Sequence, residues 1–135
     1  MTGEPRLHHV LVLTDDLEAT RAFYCDALGF EVVESPPLPF TGFWLSLGGD
    51  PCVHVADRVS YDTALAALGL DRVEGRIDHV AFRRDGYEQL AARLAAAGVE
   101  AVANEVPGMM RQLYVTDPNG VRVELNCPVS ARLPT

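Results

Sequence analysis

Four side chains of the kinds that bind divalent metals recur in this sequence at one fixed spacing. His54 follows His9 by 45 positions. Glu124 follows His79 by the same number. Three imidazoles and one carboxylate form a donor set of intermediate softness, which suits Fe, Ni, Co, Mn or Zn. The spacing therefore predicts one divalent-metal site, with room in an octahedral shell for water or two substrate oxygens, if folding brings the donors together.

The sequence around these donors is itself repeated. Residues 7–10 (LHHV) match residues 77–80 (IDHV). An aromatic residue stands ten positions before the last donor of each half, as Trp44 and Tyr114. Such self-similarity indicates two structural modules. If the modules pair about an approximate twofold axis, equivalent positions of the two halves approach each other.

The clearest local structure is a β-hairpin from Leu113 to Asn126. An Asp-Pro-Asn-Gly sequence at 117–120 joins two alternating strands, and its Pro and Gly favour the backbone angles of a tight turn. Because strand side chains alternate between two faces, one face is apolar and the other is polar. The polar face carries Gln112, Tyr114, Thr116, Arg122, Glu124 and Asn126. A purely structural sheet with one solvated face would show the same alternation.

The pattern as a whole predicts an α+β fold of two tandem βαβββ modules in one domain over 1–135, with a cupped mixed sheet and helices on its outer face. Module one covers about 5–57, the connecting helix about 60–70 and module two about 75–127. Strands are expected at 7–13, 30–33, 43–47, 52–56, 76–82 and 99–103, and a loop at 104–110 precedes the hairpin. Helices are expected from Asp15 or Asp16 to Leu28, from a cap at Ser60 to Leu70, and from a cap at Asp85 to Gly98.

By the same parity, the four donors lie on the polar face among side chains suited to binding a substrate. Tyr114 is a candidate hydrogen-bond donor to the substrate, and Glu124 is a candidate base as well as a ligand. The other candidates for substrate contact are Trp44, Gln112, Arg111, Arg122, Asn126 and Met109. Leu11, Ser46, Phe40, Phe43 and Met110 are expected to line or rim the same cavity.

Each of these residues also has an ordinary structural explanation. A single His on a strand is more often a hydrogen-bonded structural residue, and an Arg more often pairs with a nearby acid. His8 falls on the opposite face by parity and is expected to be structural. His54 depends on the register set by the Gly-Gly turn at 48–49, because a shift of one residue would turn it to the other face.

Composition and charge disfavour several classes of protein and partner. The formal net charge of −8 disfavours nucleic acid. No apolar run approaches the roughly 20 residues that a membrane helix needs, and the N-terminus lacks the regions of a signal peptide. The three cysteines have no CxxC spacing, which argues against a disulfide framework. We therefore expect a cytoplasmic protein that acts on a small molecule.

The repeated pattern, the LHHVLV and IDHVAF segments, the FYCDALGF helix end and the YVTDPNGVRVEL hairpin resemble the vicinal oxygen chelate superfamily. This group includes glyoxalase I, methylmalonyl-CoA epimerase, fosfomycin-modifying enzymes, extradiol dioxygenases and bleomycin resistance proteins. The resemblance covers Leu7 to about Cys127. It implies metal ligands at the four donor positions, and chelation of a substrate through adjacent oxygens by a metal that stabilises an enolate or similar oxyanion.

The motifs in different parts of the chain resemble different subfamilies. The stretch from His9 to Phe30 resembles glyoxalase I except at Thr14, whereas the second half fits that enzyme less well. LYVTDPNGVRVE resembles the end of the extradiol dioxygenase signature, with Tyr114 in the matching place, but the upstream His of that signature is missing. The resemblance thus implies a metal-dependent lyase or isomerase of the glyoxalase/epimerase type, and a homodimer. An Fe(II) ring-cleaving dioxygenase and a drug-binding resistance protein without catalysis are the alternatives.

Overall fold

Two four-stranded sheets of identical topology follow each other along the chain. The structure is a computed structural model, and it describes residues 7–34 and 37–129. The strands are β1 Val10–Thr14, β2 Glu31–Val33, β3 Gly42–Ser46, β4 Pro51–Asp57, β5 His79–Arg83, β6 Val102–Val106, β7 Met110–Thr116 and β8 Arg122–Pro128. The first sheet has the order β1-β4-β3-β2 and the second has β5-β8-β7-β6, each with one parallel and two antiparallel pairings. The predicted tandem βαβββ fold is confirmed.

The helices of the described residues fall in the three predicted regions, although two of their starts differ. They are α1 Leu17–Arg21, a π-helical segment Ala22–Ala27, α2 Arg58–Ala67 and α3 Tyr87–Ala96. The π-helical segment ends with a hydrogen bond from the Leu28 N–H to the Phe23 carbonyl, five residues back (3.1 Å). Among the described residues no helix is long and apolar enough to cross a membrane.

Two predicted helix starts are wrong. Helix α2 begins at Arg58 rather than Ser60, because the Asp57 carboxylate caps it by accepting a hydrogen bond from the Ser60 N–H (2.9 Å). Helix α3 follows Gly86, whose φ of 78° suits glycine, and no side chain caps it. The expected cap, Asp85, instead lies 3.8 Å from Nε of Arg83.

Strand β6 also differs from the prediction of a strand at 99–103 and a loop at 104–110. Its polar middle, with Asn104 and Glu105, is poor in strand-forming residues, yet it pairs with β7 along its whole length, Val106 facing Met110. A turn containing Gly108 (φ 74°) connects the two strands. The pairing with β7 overrides the weak intrinsic preference of these residues.

The first strand of each half begins later than predicted. Strand β1 starts at Val10, so His8 and His9 precede it, and β5 starts at His79. Side-chain alternation therefore does not govern residues 7–9. Residues 35–36 of the predicted proline-rich loop and the tail from 130 lie outside the described residues.

The chain forms two compact units. The first contains the described residues through Glu18 together with Gly29–Arg72, and the second contains Ala19–Leu28 with the described residues from Val73. In the first unit the core consists of fully buried side chains of β3 and β4: Leu45, Val53, Val55 and Ala56. In the second unit it includes Tyr24, Leu28, Leu90, Leu94, Val123 and Leu125.

Candidate functional site

In each sheet, the pairing of the last two strands in the chain places an aromatic residue opposite a candidate donor. Trp44 lies opposite His54 in the β3–β4 pair, and Tyr114 lies opposite Glu124 in the β7–β8 pair. Gly42 allows the first of these pairings, because any side chain there would collide with the Val55 carbonyl. The register does shift in the first sheet, but only between Leu45 and Ser46, on the turn side of His54. His54 and Glu124 are therefore equivalent positions, as the repeat predicts.

In the second unit, Glu124 is buried and held by a network of amide and hydroxyl groups. Its Oε1 accepts a hydrogen bond from Nε2 of Gln112 (2.7 Å) and lies 3.0 Å from the Tyr114 hydroxyl. The same Gln112 amide donates to Oδ1 of Asn126 (3.0 Å) and accepts from Nδ2 of Asn104 (2.7 Å). The hydrogen bond to Glu124, followed by burial, raises the pKa of Tyr114, so the phenol stays protonated as a donor. One carboxylate oxygen is thus fully occupied while Oε2 is left for another partner.

The second carboxylate oxygen of Glu124, Oε2, lies next to His79. Nε2 of His79 lies 3.3 Å from Oε2 of Glu124, while Nδ1 lies 2.9 Å from Oδ2 of Asp78. Both neighbours offer only oxygen acceptors, and in a neutral ring the shorter contact, to Asp78, favours the tautomer with its proton on Nδ1. The Nε2 lone pair then faces a carboxylate oxygen, an arrangement that requires a cation or a proton between them. Two ligands bound at right angles about 2.1 Å from one ion are about 3.0 Å apart, close to this spacing.

In the first unit, His9 and His54 lie beside Trp44. The His54 ring stacks on Trp44 (4.1 Å between centroids, 14° between planes), and the His9 ring contacts both, 4.6 Å from Trp44 and 6.2 Å from His54. Nδ1 of His9 lies 2.7 Å from Nδ1 of His8, which leaves Nε2 available. Nε1 of Trp44 is buried, and no described residue accepts a hydrogen bond from it. An oxygen of a bound ligand would satisfy this donor.

Both of these imidazoles favour their neutral form. Burial, and then the neighbouring His8, lower the pKa of His9. Burial, and then His9, lower the pKa of His54. Neutral imidazole is the form that binds metals, so protonation competes less with a ligand here than at an ordinary histidine.

The sequence predictions missed three residues that orient these groups: His8, Asp78 and Asn104. His8 and Asp78 occupy the same place in the repeat, immediately before a donor histidine, and each contacts Nδ1 of that histidine. The expectation that His8 faces away is wrong, because the chain is not yet a strand at this point. The repeat itself was the signal that could have identified this pair. Asn104 was missed because β6 was placed too early.

The two arginines and the methionine predicted to contact substrate differ in their surroundings. Arg122 belongs to the His79 network, because its partner, Oδ2 of Asp78, also lies 2.9 Å from Nδ1 of His79. Arg111 forms an ion pair with Glu88 (2.8 Å) and covers the Tyr87 ring, 3.5 Å from its centroid. Arg122 forms an ion pair with Asp78 (2.9 Å). Met109 is 40% exposed in the turn before β7. The arginines thus have the acidic partners that the structural explanation anticipates.

The four predicted metal donors therefore occur as two pairs, one in each unit. Within residues 7–34 and 37–129 no group of three or more His, Cys, Asp or Glu side chains is arranged to hold a metal ion. The chemistry of each pair nevertheless fits a divalent ion: two neutral imidazoles in the first unit, and an imidazole nitrogen facing a carboxylate oxygen in the second. A pair supplies fewer donors than the three that a catalytic site usually takes from the protein.

Comparison with known proteins gives a consistent result. Residues 6–125 match the family model of the Glyoxalase/Bleomycin resistance protein/Dioxygenase superfamily. The mitochondrial methylmalonyl-CoA epimerase of Bos taurus is 30% identical over 89% of this chain and 73% of its own length. Biphenyl-2,3-diol 1,2-dioxygenase 2 of Rhodococcus globerulus is 31% identical over 93% of this chain and 64% of its own length. The crystal structure of TnmS3, an antibiotic-binding protein from Streptomyces sp. CB03234, superimposes with a TM-score of 0.69 at 21% identity, covering 95% of this chain and 99% of that one.

Proposed function

Because the chain belongs to the Glyoxalase/Bleomycin resistance protein/Dioxygenase superfamily, we propose that it is a divalent-metal-dependent lyase or isomerase of the glyoxalase/epimerase type. Its substrate would be a small molecule with adjacent oxygens. The observation that supports this most directly is the Nε2 of His79 facing Oε2 of Glu124 at 3.3 Å, since two acceptors at this distance need a cation or a proton between them. The relation to an epimerase at 30% identity agrees with the proposed reaction type.

In this proposal His9, His54, His79 and Glu124 would together hold one metal ion. When bound, it would supply Lewis-acid stabilisation of the negative charge that develops on the adjacent oxygens of the substrate. Glu124 would have a second role as the base: once Oε2 dissociates from the ion, it would accept an α-proton from the substrate and return it. Gln112 fixes the Glu124 carboxylate by binding Oε1.

The remaining predicted residues take supporting roles. Tyr114, protonated and beside the carboxylate, would donate a hydrogen bond to a substrate oxygen as charge develops there. Trp44 and Asn126 would contact the substrate from the two β-sheets, and Arg111, Arg122 and Met109 stay predictions as substrate contacts. A homodimer and a cytoplasmic location also stay predictions, and light scattering and cell fractionation would measure them.

A second candidate function is an Fe(II) dioxygenase that cleaves a catechol ring. The observation that favours it is the 31% identity to a biphenyl-2,3-diol dioxygenase, although this chain covers only 64% of that enzyme. His/His/carboxylate coordination also occurs in non-haem iron oxygenases. A binding protein without turnover is the third candidate, by its fold similarity to TnmS3.

One experiment separates these functions. Protein purified without chelator or affinity nickel is loaded in turn with Fe(II), Ni(II), Co(II), Mn(II) or Zn(II). Each form is incubated in D₂O with a panel of 2-hydroxyketones, hemithioacetals and 2-methyl-malonyl thioesters, and exchange of the α-proton is followed by NMR. Metal-dependent exchange supports the proposal. Oxygen uptake with catechols by the Fe(II) form alone would favour the dioxygenase, and binding without either reaction would favour the third candidate.

The hydrogen bond between Asp78 and His79 gives a further prediction. The change Asp78→Ala removes the acceptor at Nδ1, so the ring can turn and its Nε2 is less basic. We expect metal affinity to fall by about 10- to 100-fold, the usual effect of removing such a partner. Competition with a fluorescent chelator would measure it. Asp71→Ala, which removes an exposed carboxylate outside this network, is the control, and equal affinities of the two variants would contradict the prediction.

A further inference from the structure

An apolar pocket in the first unit opens beside His9 and His54. It has a volume of about 520 Å³, within the range of roughly 300–1,000 Å³ typical of small-molecule sites. Leu11 lines it on β1, Pro39 and Phe40 lie on the loop before β3, and helix α2 forms a further wall. The residues of this wall are Tyr61, Ala64, Leu65 and Ala67 of α2, and Leu68 directly after it.

Three of the residues that line this pocket carry aromatic rings: Phe40, His54 and Tyr61. The Phe40 ring lies 5.3 Å from His54, tilted by 35°, and meets Tyr61 edge-on at 5.1 Å. The His54 ring is in turn stacked on Trp44. Aromatic rings favour such offset and edge-on neighbours, so a planar group inserted beside them gains contacts of the same kind.

The pocket carries no fixed charge. None of the described residues that line it is Arg, Lys, Asp or Glu. On the α2 side of the pocket, away from the proposed ion, a phosphate or carboxylate would lose its hydration without gaining a cation in return. An uncharged, apolar group meets no such cost.

We infer that the substrate carries a neutral aromatic group of one or two rings, which occupies the pocket between Phe40 and α2 while its adjacent oxygens reach the ion at His9 and His54. The inference rests on the proposed function, because that function supplies the chelating end of the substrate. The pocket volume of about 520 Å³ is large enough for such a group, because a cavity of roughly 150 Å³ already holds benzene. The half-buried Ala64 and Leu65 form the wall against which the ring packs, and Leu68, 74% exposed, lies towards solvent.

Two chelators that differ only in the group beyond the chelating atoms test the inference. Acetohydroxamate and benzohydroxamate offer the same pair of oxygens, but only the second carries a phenyl ring. Binding to metal-loaded protein is followed by the emission of Trp44, the only tryptophan, which stacks on the pocket residue His54. Burial of the ring should make benzohydroxamate bind at least about tenfold more tightly.

Two matched variants on α2 test whether the preference for benzohydroxamate arises in this pocket. Ala64→Phe fills the pocket and should remove the preference for benzohydroxamate while leaving acetohydroxamate affinity and metal content unchanged. Ala66→Phe adds the same group at an exposed position that does not line the pocket, and should keep the preference. Equal affinities of the two chelators for the wild type, or a preference that survives Ala64→Phe, would overturn the inference. A changed mass by light scattering in Ala64→Phe, without a changed chelator preference, would assign this face to a second copy of the chain and overturn it too.

Failure of the proposed function has a different signature. If the wild type binds neither metal nor acetohydroxamate, the proposed metal chemistry is wrong. The pocket is then tested alone with 2-naphthol, an uncharged two-ring probe, on chelator-treated protein. Quenching of Trp44 in the wild type and in Ala66→Phe, but not in Ala64→Phe, would support the aromatic site, and no quenching in the wild type would overturn it.

Discussion

Replacing Glu124 by Gln is expected to reduce metal-dependent α-proton exchange by about 10³-fold or more, because it removes both a ligand and the base. The fold should survive the change. The new amide oxygen can accept the hydrogen bonds from Gln112 and Tyr114 that Oε1 accepts now. Its NH₂ group can donate to Nε2 of His79, which stands 3.3 Å from the present oxygen. The loss should therefore appear in turnover and metal content and not in the unfolding midpoint.

The matched control is Glu105→Gln, which makes the same change at an exposed position on β6. Exchange rates are measured by NMR for both variants at the same total metal concentration, bound metal is measured per chain, and unfolding is measured in urea. The control should keep the wild-type rate. A Glu124→Gln protein that keeps more than a tenth of the rate would show that the base lies elsewhere.

The largest expected effect on stability belongs to Asp117, in the turn between β7 and β8. Its carboxylate is 4% exposed and accepts hydrogen bonds from the Tyr24 hydroxyl and from the N–H groups of Asn119 and Val121, each at 2.8 Å. Burial, and then the charge of Asp117, raise the pKa of Tyr24, so this hydroxyl remains a donor at any ordinary pH. Asp117→Ala leaves three donors without their partner, and we expect the unfolding free energy to fall by roughly 3–5 kcal/mol.

Urea unfolding of three variants checks this expectation. Tyr24→Phe removes one of the three hydrogen bonds and should cost about 1–2 kcal/mol. Asp71→Ala removes an exposed carboxylate and should change stability by less than about 0.5 kcal/mol. A loss below about 1 kcal/mol in Asp117→Ala would mean that the turn is stabilised by something other than this carboxylate.

The sequence predicted the residues that alternate in regular strands and missed those that do not. The Asp-Pro-Asn-Gly turn at 117–120 and the 45-residue spacing were enough to pair Tyr114 with Glu124 and Trp44 with His54. Alternation failed at His8, which stands before the first strand and contacts His9 rather than turning away.

Predictions from the secondary-structure preferences of single residues were wrong where strand pairing or backbone geometry determines the structure. Strand β6 contains Asn104 and Glu105 and is a strand only because β7 pairs with it. Gly86, with a positive φ, is the residue directly before α3, in place of the expected acidic cap. The ion pair of Arg111 with Glu88 joins residues 23 positions apart, and no local pattern encodes such a contact.

The two halves provide donors of different character at equivalent positions. His54 is an imidazole stacked on Trp44, whereas Glu124 is a carboxylate that accepts two hydrogen bonds. In our proposal the neutral pair in the first unit and the His79–Glu124 pair in the second hold the same ion. Either pair by itself provides too few donors for a catalytic site.

The most direct test of this central claim is the metal content of the wild type, His54→Ala and His79→Ala. All three are purified without chelator or affinity nickel, reconstituted with each candidate metal and analysed for bound metal per chain. The proposal predicts one equivalent in the wild type and its loss in both variants, since the two histidines lie in different units. Full metal content in either variant, or no metal in the wild type after reconstitution, would contradict it.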